Sequence, residues 1–161
     1  IGKGQPIGTG RFDANLATAQ TNFVAALAQC EAAMQILRAQ NSGQLVTISS
    51  ISALRGLPKN QAVYAATKAA LASLTEGLRL ELMGTPIRVT TIYPGYIRTD
   101  INRFAGKLPF EVDEVTGSKA IVRAIESGKQ EAYVPEWPWS AVGFALKHLP
   151  LWMVKRMVSP C

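Results

Sequence analysis

Tyr64 and Lys68 stand four residues apart in an alanine-rich stretch that reads as a helix, so a phenol and an ammonium share one face. A phenol ordinarily titrates near pH ~10 and is a poor acid or base at neutral pH. An ammonium held beside it favours the phenolate and moves the group toward general acid/base work. Fourteen residues before Tyr64, Ser50 ends a short apolar run, where its hydroxyl could donate a hydrogen bond to a substrate oxygen at the same place. Ser52, twelve residues before Tyr64, offers the same chemistry. The pair alone also describes an ordinary exposed helix, so the surrounding elements have to decide.

Leu45-Val46-Thr47-Ile48 has the length and β-branched content of a buried strand. A loop with Gly56, Pro58 and Asn60 follows it, then the helix from about Ala62 to Met83. Upstream, residues 14–40 predict one long helix with Leu16, Phe23, Leu27, Cys30, Met34 and Leu37 on its apolar face. Asn41-Ser42-Gly43 stops it, with glycine just past the end. Gly84-Thr85-Pro86 ends the Tyr64 helix, Ile87 to Tyr93 is the next strand, Val112 to Ser127 a further helix and Glu131 to Val134 a short strand. Helices alternating with strands indicate parallel βαβ units. Ligands bind outside the carboxyl ends of such strands. Ser50 and Pro94-Gly95 both lie at such ends.

The 161 residues are one domain's worth, and 48% hydrophobic with 17% charged residues excludes a disordered chain. The net charge of +6 comes without a dense basic block, and no nucleic-acid motif is visible. Cys30 and Cys161 suggest no disulfide framework, His148 is the single histidine, and no metal site is expected. No signal peptide opens the chain, and a reducing cytoplasm is the default compartment. Gly4, Gly8 and Gly10 have the spacing of a phosphate-cradling loop but lack the preceding strand such a loop needs, so they predict a plain loop. Tyr96 to Phe110, with Phe104, Leu108 and Phe110, reads as a mobile substrate lid for a substrate with an apolar body. The tail from residue 136 to 161 is apolar and basic. It is too short of uncharged residues to cross a membrane, and is expected either to pack on the lid or a partner subunit or to lie on a membrane surface.

Ser50 with Tyr64-Ala65-Ala66-Thr67-Lys68 resembles the Ser and Tyr-x-x-x-Lys signature of the short-chain dehydrogenases/reductases. Pro94-Gly95 with Thr99 resembles that family's nicotinamide-side loop, and Asn22 stands where the family keeps a fourth catalytic residue. The resemblance covers residues 1 to about 135. It implies an α/β fold, the C-terminal part of a Rossmann-type doubly wound parallel sheet with about three strands and flanking helices. It also implies NAD- or NADP-dependent interconversion of an alcohol and a carbonyl. Tyr64 would then move the proton, Lys68 would lower its pKa and hold the nicotinamide ribose, and Ser50 would orient the carbonyl. Asn22 would hold a water in a relay to Lys68. Pro94, Gly95, Thr99 and the backbone at Ile97 would meet the carboxamide, and the two long helices imply a homo-oligomer.

By the same resemblance Ile1 follows the family's fourth strand, and the cofactor-binding N-terminal half is absent from this sequence. The chain is therefore expected to be incomplete, with Leu45–Ile48 an exposed apolar edge. Two other readings stay open. Ser50, Asp100 and His148 occur in the chain order of a serine hydrolase, although Ser50 lacks the flanking glycines of that nucleophile turn. A non-catalytic interaction or membrane-surface module is the other.

Overall fold

The computed structural model describes residues 1–100, 102 and 106–158. Phe104 and Cys161 lie outside the described residues. After an irregular segment with a turn around Gly8 and Gly10, the chain forms α1 (Phe12–Ala19) and α2 (Ala25–Gln40), joined without a break by a π-helical turn, Gln20–Val24. Then come β1 (Gly43–Ile48), short 3-10 turns at Ile51–Leu54 and Lys59–Gln61, α3 (Ala62–Glu81) and β2 (Ile87–Pro94). The order closes with α4 (Glu114–Glu126), β3 (Glu131–Val134), α5 (Glu136–His148) and α6 (Leu151–Val158). The three strands pair in parallel in the order β1-β2-β3, with Gly43 opposite Ile87 and Thr91 opposite Glu131. This is the α/β arrangement expected, part of a Rossmann-type sheet. Among the described residues β1 pairs only with β2, and Ile48 at its end is 41% exposed.

β2 is buried on both faces, as the middle strand of a parallel sheet must be. Its polar side chains are therefore paired. Thr90 accepts from Gln44 Nε2 at 2.9 Å and Thr91 from Arg79 at 2.7 Å. Thr47 on β1 meets Thr75 of α3 at 2.9 Å. Cys30, Met34, Leu45, Leu82, Ile87 and Val89 form one core cluster. Ile51, Trp139, Leu146 and Val154 form a second, so the inner sides of α5 and α6 belong to the domain. No helix among the described residues is long and apolar enough to cross a membrane.

Two local readings are corrected. The first half of the long helix does not bury its apolar stripe: Leu16 and Leu27 are exposed, while Asn15, Thr18 and Asn22 are buried. The π-helical turn places an extra residue in the helix and rotates the stripe. Asn15 and Asn22 meanwhile bond the chain's first residues, Gln5 N–H at 2.8 Å and the Ile1 carbonyl at 2.8 Å. The helix also ends with Asn41, not a glycine, in the left-handed conformation (φ 48°). Gly43 (φ +124°) instead opens β1, where a Cβ would come 2.5 Å from Leu37.

Tyr93, buried at the end of β2, has its phenol pushed well above the usual range by burial and then by the Glu131 carboxylate. Below pH ~10 the phenol is neutral in folded and unfolded chains alike. Above it only the unfolded chain ionises, so stability falls as pH rises. The urea midpoint is expected to drop above pH ~10, and Tyr93→Phe should remove a large share of that drop.

Candidate active site

Ser50 leaves β1 in extended backbone and caps the 3-10 turn Ile51–Leu54, its hydroxyl accepting from Ser52 N–H at 3.2 Å. The neighbouring Ser49 hydroxyl donates to the Lys68 carbonyl at 2.9 Å and ties the strand end to α3. The Lys68 ammonium donates to the Ile48 carbonyl at 2.9 Å and lies 5.9 Å from the centre of the Tyr64 ring. The Ser50 hydroxyl lies near the Tyr64 phenol and acts to lower its pKa. Ser50, Tyr64 and Lys68 are thus gathered at the carboxyl end of β1. Of the two serines, Ser50 is the one that acts on the phenol's pKa, whereas Ser52 contributes its backbone N–H to Ser50.

The electrostatics differ from the simplest expectation. Burial pushes the Tyr64 phenol above its usual range, outweighing the lowering by Ser50, and nearby Tyr96 adds to the rise. Burial also lowers the Lys68 ammonium. The Lys68 ammonium places one of its N–H groups on the Ile48 carbonyl, and its charge is not among the causes that move the phenol. Asn22 sits one layer behind. Its amide donates to the Ile1 carbonyl at 2.8 Å and to the Thr67 hydroxyl at 3.4 Å, beside Lys68 in the chain. It reaches Lys68 through neighbours and makes no direct bond to it.

At the end of β2, Gly95 N–H donates to the Val134 carbonyl at 2.9 Å, which continues the sheet pairing past Pro94. The backbone then turns, with Ile97 bridging to Val112. Asn102, which sequence reasoning missed, clips this turn: its amide donates to the Ile97 carbonyl at 3.0 Å and accepts from Thr99 N–H at 2.9 Å. Trp139 of α5 was also missed as a site neighbour. It stands edge-on to Tyr96 at 5.3 Å and to Phe110 at 6.0 Å, so the tail packs on the segment read as a lid. His148 lies elsewhere, exposed on α5, donating to the Phe144 carbonyl at 2.8 Å. The Ser50 hydroxyl accepts from Ser52 N–H and His148 bonds its own helix, so the hydrolase constellation is not assembled. Gly4 packs against the Asn60 carbonyl, where a Cβ would lie 2.5 Å away, and the Gly4, Gly8 and Gly10 segment precedes α1 as a loop.

A parallel Rossmann-type sheet with a phenol, an ammonium and a hydroxyl gathered at its carboxyl ends puts these groups where open α/β sheets bind ligands. A family model described as short chain dehydrogenase matches residues 3–107, and the chain belongs to that family. A protein of Mycobacterium tuberculosis described as an uncharacterized oxidoreductase is 44% identical over 156 residues, covering 97% of this chain and 62% of its own length. One from Myxococcus xanthus is 32% identical over 143 residues, covering 87% and 52%. The chain thus spans between about half and two thirds of these relatives. Among solved structures, a short chain dehydrogenase from Burkholderia cenocepacia in complex with NADP superposes with a TM-score of 0.84 at 26% identity. That match covers 99% of this chain and 67% of the other.

The space at Gly95 gives a direct check on the site's wall. A Cβ there would fall 2.0 Å from the Trp139 ring. Gly95→Ala should therefore destabilise the fold by about 1–3 kcal/mol, the usual cost of overpacking. In a Trp139→Ala background the same substitution should cost clearly less. A double-mutant cycle from denaturation midpoints measures the coupling.

Proposed function

We propose that this protein is an NAD- or NADP-dependent oxidoreductase that interconverts an alcohol and a carbonyl, with Tyr64 exchanging the proton on the substrate oxygen. The observation that carries the reading is the gathering of the Tyr64 phenol and the Lys68 ammonium at the end of β1, beside Ser50 and joined to the strand through Ser49 and Ile48. A nicotinamide cofactor suits the donors present, because a half-buried ammonium and phenol at the carboxyl ends of β1 and β2 match the hydroxyls of a ribose. When bound, the cofactor supplies the hydride.

Everything else falls to the chain's own groups. Ser50 donates to the substrate oxygen and orients the carbonyl toward Tyr64. Tyr64, kept neutral by burial, gives its proton to that oxygen as negative charge develops. Lys68, fixed on the Ile48 carbonyl, presents its remaining N–H groups to the ribose and its charge to the phenol as the proton leaves. Asn22 and Thr67 line the route by which water could restore the proton. Pro94, Gly95, Ile97 and Thr99 form the wall for the carboxamide, and Asn102 holds that wall in shape.

Residues 1–135 carry this chemistry in our reading, and residues 136–161 cover its apolar side through Trp139. The neighbours Tyr96, Phe110 and Trp139 favour a substrate with an apolar body. A homo-oligomer built on α2 and α3 fits the exposed Ile36 and Leu80 on these helices. The free, buried Cys30 suits a reducing cytoplasm.

Tyr64→Phe keeps the ring and its packing and removes the proton donor. Turnover of hydrophobic ketones with NADH or NADPH is expected to fall at least about a hundredfold, with the melting curve unchanged. Ser50→Ala should be severe and Ser52→Ala mild. Tyr64→Phe activity within a few-fold of the parent would contradict the assignment.

A further inference from the structure

The segment from Trp137 to Val158 contains Lys147, Lys155 and Arg156 and neither Asp nor Glu. The carboxylate just before it, Glu136, is paired with Lys129 Nζ at 3.3 Å. The inner sides of α5 and α6 are committed to their own chain, because Trp139, Leu146 and Val154 share one cluster with Ile51. Away from that cluster, this segment leaves several large apolar side chains in solvent. Trp137, Phe144, Leu151 and Trp152 are 77, 66, 70 and 59% exposed. The Arg156 guanidinium lies over the Trp152 ring at 5.3 Å, so cation and aromatic group are immediate neighbours.

Single apolar side chains on a surface need no explanation, but several on two short consecutive helices make a patch of the kind that marks an interaction site. Its charge narrows the partner. A two-fold contact between copies would set the patch against itself, basic group against basic group, with no carboxylate in the segment to answer them. A purely acidic partner would answer the charges and leave two tryptophans, a phenylalanine and a leucine without a role. A negatively charged lipid surface answers both features. Tryptophan and other large apolar groups settle at the headgroup level, and lysine and arginine meet the phosphates. No helix among the described residues is long and apolar enough to cross the bilayer, so in this reading the segment lies on it.

We propose that the outer sides of α5 and α6 dock this protein on anionic phospholipid bilayers. Trp137, Phe144, Leu151 and Trp152 enter the headgroup region, while Lys147, Lys155 and Arg156 meet lipid phosphates. The proposal is independent of the catalytic reading, since none of these residues belongs to the site at β1 and β2.

Co-sedimentation with vesicles of phosphatidylcholine, with and without phosphatidylglycerol, tests it. The protein is expected to pellet with the anionic vesicles, to bind the neutral ones weakly, and to detach as salt is raised. Replacing Lys147, Lys155 and Arg156 together by alanine should weaken binding about a hundredfold, from roughly fivefold per basic residue. Leu151→Ser with Trp152→Ser should also weaken it, at all salt concentrations. Point variants serve better than truncation, because removing the segment would strip Trp139 from the core. All five positions are exposed, so melting curves of both variants should match the parent's. Absence of binding to anionic vesicles would overturn the proposal. So would binding unchanged in both variants, or a stable dimer that Trp152→Ser dissociates in the absence of lipid binding.

Discussion

The site depends on one bond, the Lys68 ammonium donating to the Ile48 carbonyl at the open end of β1. A strand's last carbonyls need a partner beyond the ladder, and a lysine from the following helix supplies it. That bond, with the buried Thr47–Thr75 contact and the packing of Leu74 and Leu78, sets where α3 sits along the sheet. Once α3 is placed, Tyr64, one turn earlier on the same face, must stand over the serine that leaves β1. The Ser49 hydroxyl bonding the Lys68 carbonyl closes the same junction from the other side. A chemically useful trio therefore follows from joining a strand end to a helix.

The second constraint is aromatic packing at the end of β2. Gly95 lets the Trp139 ring approach the backbone, and Tyr96 and Phe110 meet that ring edge-on. The tail is thus joined to the segment that follows β2, and through Ile51 to the residue after Ser50. Changes in α5 or α6 can move both walls of the crevice without touching a reacting atom. The same helices present their opposite sides to the surroundings, so one short segment has an inward role and an outward one.

The strands, the long helices and the Ser50, Tyr64 and Lys68 group were legible in the sequence because each rests on local geometry. Strand length, helical spacing and the i,i+4 relation need no knowledge of distant contacts. The less legible features involve distance. The buried polar side of α1 arises because Asn15 and Asn22 bond the chain's first residues across a π-helical turn, and helical periodicity carries no sign of such a turn. Trp139 meets Gly95 from 44 positions away, and nothing near either residue announces it. Asn102 was invisible because an asparagine in a loop is ordinary. The direction in which the Tyr64 phenol shifts was not legible, because its spacing from Lys68 says nothing about burial, and burial is the largest cause. His148 illustrates the converse: chain order suggested a hydrolase triad, and the fold places that imidazole on an outer helix side.

A half-buried phenol raised above its usual range is neutral at rest, so the account makes Tyr64 the acid of carbonyl reduction and, once ionised, the base of alcohol oxidation. The pH dependence of kcat/KM in both directions, with parent and Tyr64→Phe protein, tests this most directly. The account predicts reduction that is level through neutral pH and falls at alkaline pH, oxidation that rises over the same range, and neither limb in the residual activity of Tyr64→Phe. Limbs that persist unchanged in Tyr64→Phe, or reduction that rises with pH, would contradict it.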